Sequence, residues 1–348
     1  MKNIISIVGI GFLSGMIELQ AAIPKHSPEF YEAIKPEVRE AQRKGANAKI
    51  IYRVVDDEGI AVSNVTLYIK WQNDYPRKIW RNKLETDSEG FVTVAERVGG
   101  KMSCRFYKEG YYSSFDKIDF HWRKGVSPVV KDDKWQPYGG NRTIVLKRKK
   151  KPVEMCWMNS WKIDNYLAPA TNIWIGLDME LGKWCYPYGE GKCNDVLIRF
   201  TGEVYNCRSW ATLMEVSFTN NPYAGFYELP KDMYSDMKTC YFASTNNDAY
   251  VFRYYSLSNK VTQAVYPSDS DIAKLPYNKY LVFRTRTRVD SKGRLVSAHY
   301  GRICGEWRGG AFSMSFGGNE DGIYFNPIPN DPNLEDMETV NRLKQIGR

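Results

Sequence analysis

The densest chemistry in this chain lies between Tyr280 and Arg302. Leu281, Phe283, Thr285, Thr287 and Val289 alternate with Val282, Arg284, Arg286 and Arg288, and Asp290-Ser291-Lys292-Gly293 follows as a turn. Period-two alternation closed by such a turn predicts a β-hairpin. With Val289 facing Arg294, the register sets Arg284 opposite His299, Arg286 opposite Ser297 and Arg288 opposite Leu295. Three guanidinium forks on one face suit the carboxylate or sulfate groups of an acidic ligand. The same row also fits a solvated face with ordinary ion pairs, or a charged guard on an edge strand.

A second set of candidates is aromatic. Trp184, Tyr186 and Tyr188 sit in a turn-rich stretch, with Trp210, Tyr223, Phe226 and Tyr227 near later turns. A ring exposed on a loop can stack on a sugar face while Asn and Asp orient the hydroxyls; rings of this kind also serve as core or loop anchors. Glycoside hydrolysis needs two carboxylates about 5–10 Å apart. Glu203, Glu215, Asp248, Glu306 and Asp321 are available, and no spacing singles out a pair. Only three histidines occur, His26, His121 and His299, and no cysteine spacing matches a zinc site. Asn319-Glu320-Asp321-Gly322 lacks the EF-hand spacing, and phosphate loops, G-x-S-x-G elbows and H-E-x-x-H are absent. No metal or cofactor is expected.

The elements that must position these residues read as strands. Lys49–Val55, Val62–Trp71, Gly90–Glu96, Met102–Lys108 and Thr143–Leu146 carry β-branched or alternating runs in the first half. Val196–Tyr205, Ala211–Thr219, Tyr250–Leu257, Tyr280–Val289, Leu295–Trp307 and Ala311–Phe316 do so in the second. Pro28–Lys44 has helical spacing ending at Gly45, with Pro36 as an interruption. No strand alternates with a regular helix, which disfavours a doubly wound sheet. The fold class expected is all-β.

The chain has 348 residues, 43% hydrophobic and 26% charged, enough for a substantial core and too apolar for a disordered chain. Lys2 precedes an apolar run from Ile4 to Ile17 and small residues at Ala21 and Ala22. That run is too short to span a bilayer and suits a signal-peptide core, so residues 1–22 are read as a signal peptide and the chain as exported, periplasmic or extracellular. No transmembrane span is expected. In an oxidising compartment the seven cysteines should pair, the odd count leaving at least one over, and Cys185 and Cys193 flank a turn-rich segment that can bring their backbones together. Residues 23–151 hold 27 basic against 17 acidic residues, a net +10, whereas residues 152–348 net −1. This asymmetry supports two domains, joined by the basic run Lys147–Lys151 before Pro152, read as a solvated linker. Nucleic acid is not an expected partner of an exported chain; an anionic surface or acidic polysaccharide is.

The first half resembles the carboxypeptidase regulatory-like domain, a small transthyretin-like or Ig-like β-sandwich. The likeness rests on Asp56-Asp57-Glu58-Gly59-Ile60-Ala61-Val62-Ser63-Asn64-Val65-Thr66-Leu67, Thr86-Asp87-Ser88-Glu89-Gly90-Phe91-Val92 and Lys108-Glu109-Gly110-Tyr111. Ala61 stands where the family often has proline, and Gln72–Glu85 is longer than the usual connection. The resemblance implies a non-catalytic accessory module and no active-site residues. Asp178-Met179-Glu180-Leu181, Trp184–Gly191 and Tyr324–Asp331 loosely resemble strings in uncharacterised secreted bacterial proteins, which implies no activity.

The expected organisation is a signal peptide (1–22), a helical segment (23–47), a sandwich (48–147), a basic linker (148–152) and a larger antiparallel β-rich domain (153–348), a sandwich or jelly roll. The expected function is an exported non-catalytic module binding an acidic glycan or an envelope protein. Its ligand-binding residues are Arg284, Arg286, Arg288, His299, Trp184, Tyr186 and Tyr188. A glycan-active hydrolase with carboxylates in the second half, and a purely structural envelope component, are the alternatives.

Overall fold

The computed structural model describes residues 35–73, 78–120, 129–158, 166–206, 209–218, 223–250, 252, 254–261, 279–304, 307–309, 313–316 and 322–337. The expected signal peptide lies outside these residues, as do His26, His121 and Cys207. The fold is all-β, built mostly of antiparallel sheets, with one short α-helix among the described residues. None of the described helices is long and apolar enough to cross a membrane.

The first half runs α1 (Pro36–Lys44), β1 (Ala46–Asp56), β2 (Thr66–Asn73), β3 (Lys78–Glu85), β4 (Phe91–Val98), β5 (Lys101–Tyr107), β6 (Ser114–Asp119), β7 (Val130–Lys131), β8 (Lys134–Trp135) and β9 (Gly140–Leu146). Pro36 opens this helix, because the first turn has no acceptor for the amide that proline lacks, and residues 28–34 of the expected helical run lie outside the described residues. One sheet joins β4 and β9 to β1, the latter in parallel; the other has the order β3-β2-β5-β6. The stretch after Gln72 that reads as a long connection is largely β3, paired with β2 from Thr66↔Glu85 to Asn73↔Lys78. Its residues are exposed on both faces, apolar Ile79 and Trp80 among them, which hides the strand period. The two sheets enclose a core that includes Tyr52, Leu67, Ile69, Val94, Phe106, Trp135 and Leu146, with Val38 and Ala41 of α1 packed on it. Within it, the Tyr52 hydroxyl donates to Asp116, which Arg142 also holds at 2.8 Å.

The second half continues with β10 (Cys156–Met158), β11 (Tyr166–Leu167), β12 (Ile175–Asp178), β13 (Lys183–Trp184), β14 (Val196–Asn206), β15 (Ser209–Ser217), β16 (Gly225–Pro230), β17 (Tyr254–Val261), β18 (Lys279–Val289), β19 (Leu295–Cys304), β20 (Trp307–Gly309), β21 (Ser313–Phe316) and β22 (Gly322–Phe325). Two five-stranded sheets, β10-β22-β19-β18-β16 and β13-β12-β14-β15-β17, dominate it. Residues of both meet in a cluster with Leu177, Ile198, Phe200, Met214, Phe283, Ile303 and Phe325. The other face of the first sheet carries Tyr280, Val282, Tyr300 and Tyr324 in a separate cluster with Tyr250 and Leu334.

The basic run after β9 is not a free, solvated linker. The Lys150 and Lys151 amides donate to the two carboxylate oxygens of the fully buried Glu335, at 2.9 and 2.8 Å. Tyr112 donates its hydroxyl to the same group at 2.8 Å. Arg148 pairs with the buried Asp56, and Lys150 lies over the Tyr241 ring. Residues 232–241 complete the seam: the Phe115 amide bonds the Tyr234 carbonyl, the Asp236 amide bonds the Ser113 carbonyl, and Met237 packs on Tyr112.

Candidate functional site

The β18–β19 hairpin forms, with a register one residue away from the expected one. Asp290 and Arg294 close the turn, since the Asp290 amide donates to the Arg294 carbonyl while its carboxylate takes the Lys292 and Arg294 amides. Val289 therefore faces Leu295, Arg288 faces Ser297, Thr285 faces His299 and Arg284 faces Tyr300. A one-residue shift of this kind exchanges the faces of a strand. A bulge between Thr285 and Arg288, with Arg286 in the left-handed region at φ 49°, then divides the arginines further.

Arg284 is turned toward the aromatic cluster. It is wholly buried, its Nε donates to the Tyr223 carbonyl at 2.8 Å, and its guanidinium lies 4.0 Å from the centre of the Tyr250 ring. Among the described residues its Nη1 and Nη2 have no hydrogen-bond partner, so the ring face supplies the compensation. Burial takes it out of reach of a ligand in solvent. Arg286 faces the other side, over Phe325 at 4.7 Å. It grips three carboxylates: Asp195 through Nε and Nη2 at 2.8 and 2.9 Å, Asp178 through Nη2 at 3.0 Å, and Glu180 through Nη1. The expected ladder is thus split, and only Arg288 of the three points an exposed side chain outward.

The acidic partners come from a loop that folds around them. Asp178 ends β12, and its Oδ1 accepts the Glu180 and Leu181 amides while Oδ2 accepts those of Lys192 and Cys193. One carboxylate therefore pins both the β12–β13 turn and the return of the loop that carries Tyr186 and Tyr188. Burial opposes its charge, yet these amides and Arg286 hold its carboxyl below the ordinary aspartate value. At Asp195, burial prevails and raises the carboxyl despite Arg286. Although burial also works against the Arg286 charge, Asp195 and Glu180 raise that guanidinium above its usual value. No spacing rule in the sequence marks this constellation, because Arg286 lies 91 residues from Asp195 and 106 from Glu180.

Beside this clamp opens a groove of about 490 Å³, lined by Arg286, Arg288, His299, Asn194, Asp195 and Ser297 among others. The structure thus brings together three of the sequence-derived candidates. His299 stacks on Phe325 at 5.3 Å, and its Nδ1 lies 3.3 Å from the Asn326 carbonyl. A carbonyl only accepts, so Nδ1 carries the proton of that contact and Nε2 is the accepting nitrogen. Burial, aided by the nearby Arg286 charge, lowers the His299 pKa against that hydrogen bond. Asp195 has both carboxylate oxygens engaged, Oδ2 also accepting the Met179 amide.

The aromatic candidates divide. Trp184 packs against the inter-sheet core and anchors the loop, whereas Tyr186 is 89% exposed and Tyr188 is exposed. Phe226 is buried against Phe218, and the Tyr227 hydroxyl accepts the Ser244 amide. The six described cysteines are free thiols, against the expectation of pairing. Cys185 and Cys193 do meet across their loop, but through the Cys185 thiol donating to the Cys193 carbonyl at 3.2 Å. Cys104 is buried within the first core beside the Tyr52 hydroxyl, far in sequence from every other cysteine. The described residues hold no group of three or more His, Cys, Asp or Glu side chains arranged to bind a metal.

No family model matches this chain, and no curated protein matches it either. Among solved structures, it is similar to 3-chlorocatechol 1,2-dioxygenase from Rhodococcus opacus, at 14% identity and TM-score 0.25, over 31% of this chain and 62% of that one. The match spans less than two thirds of the dioxygenase. It is also similar to a candidate carbohydrate-binding protein of Bacteroides uniformis, at 11% identity and TM-score 0.18, over 82% of this chain and 100% of that one. A third likeness is to BcpA, the major pilin subunit of Bacillus cereus, at 11% identity and TM-score 0.21, over 83% and 100% of the two chains. At these identities and scores, none of them transfers a function to this chain.

Proposed function

We propose that this protein is an exported, non-catalytic binding module, and that the groove beside β18 and β19 receives a carboxylate-bearing sugar of a glycan. The observation that supports this reading is the convergence of Arg288, His299 and Asn194 on one groove. The one carboxylate among the described residues lining it is already fully engaged. Arg288 offers a charged fork to an acid group, and Asn194 and Ser297 offer hydrogen bonds to hydroxyls. Arg286 serves as the strut that holds loop and hairpin together. Asp195 cannot exchange protons with a substrate without breaking that strut, which favours binding over acid–base catalysis. The exposed rings of Tyr186 and Tyr188 belong to the loop whose base forms one wall.

A glycan array probed with the whole chain at low and high salt tests the reading. Retention of uronate- or sialate-bearing glycans should weaken with salt, and Arg288→Ala should lower their affinity about tenfold, the loss of one charge-assisted fork. A blank array, or Arg288→Ala binding as the parent does, overturns it.

A further inference from the structure

The outer face of the sheet β3-β2-β5-β6 carries a pattern that the groove does not use. Leu67, Ile69, Trp71, Met102, Cys104 and Phe106 point into the core, so their neighbours point out. In register across the four strands stand Arg81, Lys70, Ser103 and Lys117. The next row on the same face holds Lys83, Tyr68, Arg105 and Phe115. With strands about 4.8 Å apart, the first row spans roughly 14 Å.

Charges elsewhere on this face are neutralised nearby. Lys83 pairs with Glu85, Lys101 with Asp119, and Arg105 with Asp236. The buried Asp116 is taken by Arg142 and Tyr52. Among the described residues, Arg81, Lys70 and Lys117 have no acidic partner, although Arg81 and Lys70 stand directly opposite each other. Like charges in that relation destabilise a sheet, so a fold that keeps them side by side carries a cost with no internal return. The face is also concave: a cavity of about 570 Å³ lies over Tyr68, Lys70, Arg81, Arg105, Phe115 and Lys117. Tyr68 is 45% exposed within this field of cations.

We propose that this face is a binding site for a linear anionic polysaccharide, with the Arg81–Lys70–Lys117 row matching its acid groups and Tyr68 stacking on a sugar ring. A row of cations meets a line of evenly spaced charges better than a single fork does, and the ring and the concavity favour a sugar chain over a flat lipid surface. These residues share none with the groove of the second half, so the two sites stand or fall separately.

The test uses the whole chain and immobilised polygalacturonate and dextran sulfate, with neutral dextran and vesicles of phosphatidylglycerol as comparators. The parent should bind one or both anionic polysaccharides and not neutral dextran. The combined variant Lys70→Ala, Arg81→Ala, Lys117→Ala should lose at least tenfold in affinity and show a flatter dependence on salt. All three side chains are exposed, and an unchanged melting transition confirms that the variant is folded. Tyr68→Ala should weaken binding several-fold without altering the salt dependence. The proposal is overturned if the folded triple variant binds as the parent does, or if the parent binds neither polysaccharide, whether or not it binds the vesicles.

Discussion

At the scale of single residues, three arginines spaced by two in sequence have three different physical situations. Arg284 is a buried cation on an aromatic face, Arg286 a strut among carboxylates, and Arg288 an exposed fork. Alternation places all three on a common face only while the strand is regular, and the left-handed Arg286 ends that regularity. His299 shows how such surroundings reach a measurable property. Its folded pKa lies below the ordinary value of about 6.5, so an unfolded chain takes up a proton that the folded one refuses. Stability should therefore be full above about pH 6.5 and decline as the pH falls from there toward the folded pKa. Replacing His299→Gln should flatten urea midpoints across that window; an unaltered slope would remove His299 as its source.

At the scale of elements, the hairpin is positioned by close backbone packing as much as by side chains. Gly301 of β19 faces Phe283 of β18 and Phe325 of β22. A Cβ there would lie 2.3 Å from the Phe283 ring and 2.4 Å from the Tyr324 carbonyl oxygen. Neither neighbour can retreat without disturbing the inter-sheet core, so Gly301→Ala should cost about 1–3 kcal/mol, read as a lower urea midpoint. A stability equal to that of the parent would show that the three strands slide apart easily. Much of this level was legible in advance: β1, β4, β5, β9, β14, β18 and β19 lie where alternating or β-branched runs end at turn residues. The local pattern does not mark β3, β6, β16 and β22, nor the short β7, β8, β10–β13 and β20. β3 is exposed along most of its length, apolar Ile79 and Trp80 included, and β22 is buried throughout, so neither displays the one-sided alternation that marks a half-buried strand.

At the scale of the whole molecule, Glu335 decides how the two halves are joined. Its carboxylate gathers Lys150, Lys151 and Tyr112 where the basic run leaves the first half, and the Val153 amide donates to its carbonyl. A run of five cations offers trypsin several cutting sites, and backbone held in hydrogen bonds resists the extended conformation that cleavage needs. Glu335→Ala leaves two amides and a buried hydroxyl without their acceptor, at a cost of at least about 2 kcal/mol. The parent should resist brief trypsin treatment within residues 147–151, and the variant should be cut there at once. Equal cleavage of both would show that the seam does not hold the run.

The sequence by itself determined the all-β class, the position of most of the longer strands and the concentration of positive charge in the first half. These follow from local period, turn chemistry and composition, which each short segment carries on its own. The tertiary structure alone decided which arginine reaches solvent, which carboxylates meet Arg286, how the basic run is held, and which cations share a row on the first sheet. Each of these depends on register between strands or on contacts across scores of residues. A shift of one residue exchanges the two faces of a strand, and neither period nor composition records that choice.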